Sequence, residues 1–441
     1  MAEKYSRRLD NGLIIRHGAP ADGEALAKFN REIHGEDEWD GKGVADWTLD
    51  LISGQAPTFA PDDFTIVEDP QTGAIVSSCC TISQVWTYAG IPFKVGRPEL
   101  VGTHPDYRRR GLVRQQFEIL HGWRAERGEL VQAITGIPYY YRQFGYEMTL
   151  NLGGGRSGWE ENIPPLKEGQ AEPFTFSLAE PADIPFLMAL YDRGCERSLI
   201  SAQWDEALWA YELTGKRKYN INRRDIYLIQ DQAGKKVGFI GLPPIKWGNK
   251  SALTLYEITP EASWADVTPS VLRFLWGHGE ALAQEQGQKQ TTVGFWLGEE
   301  HPAYSVAAAN LPRVHQPYAY YLRVPDLAGF LTQVKPALEQ RLAQSAFANL
   351  TQVIKLSFYR EGISLSFKEG QLVEVVDMRA GDLEDPTACF PPLMFLHLLF
   401  GHRTMAELHH IRVDCYAKDE PSRHLLDALF PKKFSEVWPI S

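Results

Sequence analysis

Cysteine is scarce in this chain of 441 residues: five are present, Cys79, Cys80, Cys195, Cys389 and Cys415. None is spaced Cys-x-x-Cys, so neither a disulfide framework nor a zinc site is expected. Buried, reduced thiols in a cytoplasmic protein are the expectation. Long apolar runs are also missing. The longest, Phe390 to Gly401, is interrupted by two prolines and a histidine and falls short of the ~20 residues that a transmembrane helix needs. The first ten residues, MAEKYSRRLD, carry no apolar stretch after their charges, which argues against a secretory signal. Nor is there an excess of positive charge. With 45 basic and 56 acidic residues the net charge is −11, a poor balance for a protein whose main task is to hold nucleic-acid phosphates. No membrane and no nucleic-acid partner are expected.

What is present is a globular balance of 44% hydrophobic and 23% charged residues in a chain long enough for roughly three domains. An internal echo organises it. The segment Leu13-Ile14-Ile15 leads to Ala19-Pro20-Ala21-Asp22 and then to Leu26 and Phe29; Phe174-Thr175-Phe176 leads to Glu180-Pro181-Ala182-Asp183 and then to Leu187 and Leu190. Both read as strand, turn, aspartate N-cap and amphipathic helix. Further along, Phe64 to Asp69 reaches Gly73 and Ala74-Ile75-Val76, while Ile226 to Asp231 reaches Gly234 and Val237 to Ile240, two hairpin signals at a matching offset. Two related α/β domains in tandem follow from this. The segment from Gly153 to Gly169, rich in glycine, proline and charge, is expected to join them. Beyond Leu311-Pro312 the pattern changes to a helix within Val324 to Leu342, strands at Ile354 to Tyr359, Ile363 to Phe367 and Leu372 to Val375, and a helix at Ser422 to Leu429. Three domains are therefore expected, at 1–155, 156–317 and 318–441, in a mixed α/β and α+β fold.

Chemistry concentrates in Glu99 to Arg114, ELVGTHPDYRRRGLVR. A short strand enters a His-Pro-Asp turn, three arginines and Gly111, and then a helix with Val113, Phe117 and Leu120 on one face. Strand, basic loop and helix N-terminus together form an anion site suited to a diphosphate. The second copy has Thr259 to Asp266 at the corresponding place, with two acids and no glycine, and cannot cradle one.

His104 to Gly111 resembles the acetyl-coenzyme A signature of the GNAT acetyltransferase superfamily, with Arg108 and Gly111 in the matching places and Val113 replacing the usual last glycine or alanine. Tyr141 to Tyr146, YRQFGY, resembles a second motif of the enhanced intracellular survival (Eis) branch of that superfamily. The resemblance implies two tandem GNAT-type domains, the first catalytic and the second degenerate, followed by an α+β domain of the sterol-carrier-protein fold. It implies acetyl-CoA as co-substrate, no metal, and a homo-oligomer, trimer or hexamer. Cofactor contacts are expected from Val101, Thr103, Arg108, Arg109, Arg110, Gly111, Leu112 and Val113. Tyr141 is the implied general acid. The base is either the C-terminal carboxylate, here on Ser441, or Glu99, on the strand where other GNAT enzymes place a glutamate.

The expected activity is N-acetyl transfer to a primary amine of a small cationic acceptor, aminoglycoside-like or polyamine-like, or of a lysine-bearing peptide. Glu36, Asp37 and Trp39, in the acidic stretch His34 to Asp40, are the expected acceptor contacts, by charge pairing and cation–π interaction. The alternative is a non-catalytic acetyl-CoA-binding, lipid-binding or sensor protein on the same scaffold, with Phe390 to Leu399 as an apolar element for a lipid or simply for packing.

Overall fold

The computed structural model describes residues 5–437. Its first unit contains β1 (Ser6–Arg8), β2 (Ile14–His17), α1 (Gly23–His34), α2 (Glu38–Ile52), β3 (Phe64–Asp69), β4 (Ala74–Tyr88), β5 (Ile91–Thr103), α3 (Leu112–Glu126), β6 (Val131–Thr135) and β7 (Glu147–Leu152). Strands β1 to β5 form an antiparallel meander, and β6 joins β5 in parallel. Each face buries a helical layer because the strands alternate their apolar side chains. Leu26, Val44 and Trp47 pack with Phe64, Ile82 and Leu100 on one face; Phe117 and Leu120 of α3 pack with Cys79, Ile134 and Tyr141 on the other.

A second unit follows. It comprises β8 (Gly155–Gly158), β9 (Phe174–Leu178), α4 (Ile184–Cys195), β10 (Ile200–Ala202), α5 (Glu206–Ala210), β11 (Asp225–Asp231), β12 (Lys236–Leu242), β13 (Lys250–Leu253), β14 (Leu255–Ile258), α6 (Trp264–Gln286), β15 (Thr292–Phe295), α7 (Pro302–Ala307) and β16 (Arg313–His315). In both units a strand, a helix and a hairpin follow one another, with the strand paired to the hairpin: β2, α1 and β3–β4 in the first, β9, α4 and β11–β12 in the second.

The repeated Pro-Ala-Asp works differently from an N-cap. In both copies it is a 3₁₀ turn whose aspartate bonds back to the residue before the proline: Asp22 accepts from the Ala19 N–H at 2.9 Å and Asp183 from the Glu180 N–H at 2.7 Å. The helices start one residue later. Asp22 also receives an Arg16 fork at 2.8 and 2.7 Å. Asp22→Ala is therefore expected to cost about 1–2 kcal/mol, read as a lower denaturation midpoint, and no change would contradict this role.

Three chain segments cross between units, one of them β10, which pairs with the end of β4 in the first sheet. Strand β17 (Tyr318–Arg323) leaves the second unit and inserts between β6 and β7 of the first sheet. Strand β8, within the glycine-rich joining segment, pairs with β15 and β16 of the second unit. The boundary expected at 317/318 thus shifts: Tyr318–Arg323 belongs to the first sheet by hydrogen bonding, and the joining segment is partly a strand. The exchange completes each sheet with a strand from the segment that follows the other unit.

The last third holds α8 (Leu327–Gln333), α9 (Lys335–Ala343), β18 (Gln352–Ser357), β19 (Glu361–Lys368), β20 (Gln371–Arg379), β21 (Ala388–Cys389), α10 (Phe395–Leu399), α11 (Met405–Ile411), β22 (Tyr416–Ala417) and α12 (Glu420–Leu429). Its sheet runs β20-β19-β18-β21-β22. Phe390, Phe395, Leu396, Leu398, Leu399 and Phe400 are buried in a core that continues through Trp209 and Leu187 to Trp86 and Val95 of the first sheet. That apolar segment is packing. The tail is held in the same core: Leu199 N–H donates to the Phe434 carbonyl at 2.8 Å, Ile200 N–H to Ser435 Oγ at 3.1 Å, and Val437 is buried. Among the described residues, no helix is long and apolar enough to cross a membrane.

Candidate active site

Strands β5 and β6 pair only at Val95–Val131 and Gly96–Gln132. Beyond these they diverge, and the wedge between them opens into a cleft of about 640 Å³. A bulge shapes one wall. Ser78 opposes Gly102 and Cys80 opposes Glu99, so Leu100 and Val101 face the single Cys79 and leave the regular ladder. Leu100 has φ +50°, a strained left-handed conformation for a leucine. The bulge turns the strand's backbone groups away from β4 toward the wedge.

The cleft floor is the basic loop. Gly111 takes φ +73° and starts α3, and Arg109 takes φ +61°. A Cβ on Gly111 would meet no protein atom within 4 Å, so the space above this helix N-terminus is free for a ligand. Arg108, Arg109 and Arg110 are exposed beside it. Arg108 Nε donates to the Thr103 carbonyl at 3.3 Å and Arg110 to the Asp106 carbonyl at 2.9 Å; these neutral acceptors leave the guanidinium charges for an anion. The donor set fits a diphosphate. Val101, Thr103, Leu112 and Val113 line the same cleft together with Tyr141, which brings the expected cofactor contacts and the expected acid to one place.

Tyr141 closes the far wall. It is 5% exposed, lies 6.0 Å from Phe117 and 6.2 Å from Tyr321 by ring centroids, and crowds Gly136. Burial, with smaller contributions from Cys79 and Glu99, lifts its phenol well above the usual range. Tyr141 is thus a neutral O–H donor throughout the ordinary pH range.

Glu99 sits behind the wedge. It pairs with the fully buried Arg97 at 2.5 Å, and burial outweighs that arginine to lift its carboxyl to about 7. A group raised in the folded state contributes stability below its unfolded value of 4.5 and loses it as pH climbs toward 7. Tyr320 covers Arg97, with the guanidinium 5.3 Å from its ring. Ser441 lies outside the described residues.

The acidic stretch has other duties. Trp39 donates its indole N–H to the Gln286 carbonyl at 3.1 Å and packs on Tyr219, and Lys42 already occupies the aromatic faces, 3.6 Å from the Tyr219 ring and 5.0 Å from Trp39. Asp37 caps α2 through the Asp40 N–H at 2.8 Å. Glu36 is exposed, its N–H bonded to Asp40. None of Glu36, Asp37 and Trp39 lines the cleft; Asp37 caps a helix and Trp39 bridges to the second unit. His34, at the end of α1, does line it, and burial keeps its ring neutral. A Cβ at Gly102 would lie 2.8 Å from Ile33 and 3.2 Å from His34, so a glycine there is what lets α1 reach the wedge. Composition gave no signal for this contact.

The second unit splays in the same way, β13 toward β15 and β14 toward β12, but its wedge is filled. Glu257 is buried against Arg197, with Arg197 Nη1 at 3.1 Å, and His301 lies 3.9 Å away. With Phe434 and Glu436 from the tail, they leave about 70 Å³. The corresponding wedge of the first unit is open, and that of the second is filled.

Residues 38–149 match the family model described as "Acetyltransferase (GNAT) domain". The first unit is a GNAT acetyltransferase domain, and acetyl-CoA is the co-substrate that such a domain implies. Across the whole chain the fold is similar to that of a probable N-acyltransferase from Enterococcus faecalis, with a TM-score of 0.64, 12% identity, and coverage of 96% of this chain and 97% of that one. A GCN5-related N-acetyltransferase from Anabaena variabilis gives a TM-score of 0.63 at 13% identity, with coverage of 96% and 99%. Eis1 from Mycobacterium abscessus gives 0.57 at 15% identity, again with coverage of 96% and 99%. A search of the curated proteins finds no match.

Proposed function

We propose that this protein transfers the acetyl group of acetyl-CoA to a primary amine in the cleft of the first unit. The observation that carries this reading is the convergence of an open, arginine-flanked helix N-terminus, a bulged strand and a buried phenol on one wedge. When bound, acetyl-CoA supplies an activated acetyl thioester. The loop from Arg108 to Val113 holds the diphosphate, the bulge at Leu100 and Val101 orients the pantetheine arm, and Tyr141 donates to the departing sulfur. The amine nitrogen forms the new bond to the acetyl carbon as the carbon–sulfur bond breaks. Burial keeps the phenol protonated, so the proton for the departing sulfur is in place.

The base that takes the amine proton is Glu99 or, on the resemblance to the Eis branch, the carboxylate of Ser441. Glu99 predicts that kcat/KM rises with pH around a midpoint near 7, matching its raised carboxyl, and that Glu99→Gln abolishes this limb. If the limb survives Glu99→Gln and is lost in a chain lacking residues 438–441, the tail is the base.

A cationic acceptor remains the proposed class, in line with the acidic net charge and without a contribution from Glu36, Asp37 or Trp39. In this reading the second unit is a degenerate GNAT-like domain, the last third is of the sterol-carrier-protein type, and the assembly is a homo-oligomer. The test is amine-dependent release of coenzyme A thiol with a polyamine, an aminoglycoside and a lysine peptide. Release with none of them would sink the proposal of an amine acceptor.

A further inference from the structure

A second, smaller cavity of about 350 Å³ adjoins the basic loop and is lined by Arg7, Arg8, Leu9, Asp10, Asn11, Arg110 and Gln115. Arg110 lines both this cavity and the cofactor cleft. The N-terminal hairpin of β1 and β2 is tied to α3 here: Arg7 donates to Gln115 Oε1 at 3.0 Å, one turn into the helix whose first N–H groups face the cleft. Tyr107, beneath the Arg110 guanidinium at 4.7 Å, is fixed by a 2.6 Å hydrogen bond to Asp69. Three arginines therefore stand around one pocket whose lining holds one carboxylate, Asp10, with Asp69 near Arg110 behind Tyr107, and all three arginine side chains are exposed to incoming solute.

We infer that this pocket is a phosphate-monoester subsite that reads the 3′-phosphate of coenzyme A, with Arg7, Arg8 and Arg110 as its donors. The inference rests on the coenzyme A reading above. In coenzyme A the 3′-phosphate is separated from the diphosphate by a single ribose, and the two cavities are separated by Arg110. A dianionic monoester offers three acceptor oxygens, which suits converging guanidinium groups better than a lone charge. The hairpin that carries Arg7 and Arg8 has no part in the wedge, so its contribution is to the choice of cofactor and not to the acetyl transfer itself.

The test is equilibrium binding by calorimetry of coenzyme A and of 3′-dephospho-coenzyme A to the full chain, repeated with Arg8→Ala and with Arg7→Ala/Arg8→Ala. The wild type is expected to prefer coenzyme A by about tenfold at low ionic strength, with the preference shrinking as salt is raised, and the double variant is expected to bring the ratio close to one. Damage to the hairpin or to α3 would weaken both ligands together and leave the ratio intact, so the ratio isolates the phosphate contact. A wild-type ratio of one, or a ratio that survives the double substitution, overturns the subsite while leaving the coenzyme A reading standing. If neither nucleotide binds, the coenzyme A reading fails and this inference fails with it.

Discussion

Tyr141→Phe is expected to lower acetyl transfer by about 10²–10⁴-fold while leaving coenzyme A affinity close to that of the wild type. The substitution removes one oxygen from a ring held by Phe117, Tyr140 and Tyr321, so the packing that positions the wall survives. On the proposed mechanism, what disappears is the donor to the departing sulfur. Because burial keeps the phenol neutral, its loss should be felt evenly across pH 6 to 9, without shifting the limb assigned to the base. Turnover and nucleotide binding measured on the same preparation check this. Equal turnover in both proteins would remove Tyr141 from the mechanism and leave it as one more packing aromatic.

Gly111→Val should act on the other half of the reaction, with a loss of coenzyme A affinity of at least about 100-fold. Two effects combine. Valine is disfavoured at φ +73°, because its Cβ crowds the backbone in the left-handed region. Its side chain would also fill the space in front of the first N–H groups of α3, where no protein atom lies within 4 Å. Since that space is empty of protein, the core is untouched and the fold should persist, with a cost of about 1–2 kcal/mol from the backbone alone. Calorimetric titration with coenzyme A, beside a thermal melt, separates the two effects; a variant that melts near the wild type and still binds normally would place the diphosphate elsewhere.

The parts that were readable in the sequence are those written in local chemistry. The echo is legible because Pro-Ala-Asp builds the same self-contained 3₁₀ turn twice, with both ends of its hydrogen bond three residues apart. The anion loop shows because Gly111 and the arginines carry their meaning in residue type. The crossing strand Tyr318–Arg323 does not show, since its partners Gln132 to Thr135 are far away in the chain and its side chains would suit any sheet. The structural setting of the acidic stretch was illegible for the same reason: Trp39 finds its partner at Gln286, 247 positions along, and no local pattern announces that contact. His34 and the bulge at Leu100 depend on the approach of α1 to β5, a tertiary fact with a single trace in the sequence, Gly102.

The wedge of the second unit is filled, so on the proposed reading only the first unit carries out transfer. Where the first unit has glycine and arginine around open space, the second has Glu257 locked between Arg197 and His301, with the tail residues Phe434 and Glu436 beside it. Burial and the nearby Glu299 hold Glu436 well above the usual carboxylate range, as befits a side chain placed for packing. The tail thereby joins the three units and ends its described course at Val437, in the core that also contains Tyr320.

The most direct measurement is thiol release from acetyl-CoA by the purified full chain, with and without a polyamine acceptor, followed by mass analysis of the amine. Amine-dependent release with a gain of one acetyl group, abolished by Gly111→Val and strongly reduced by Tyr141→Phe, is the predicted result. Absence of both coenzyme A binding and acetyl transfer in the wild type would contradict the account.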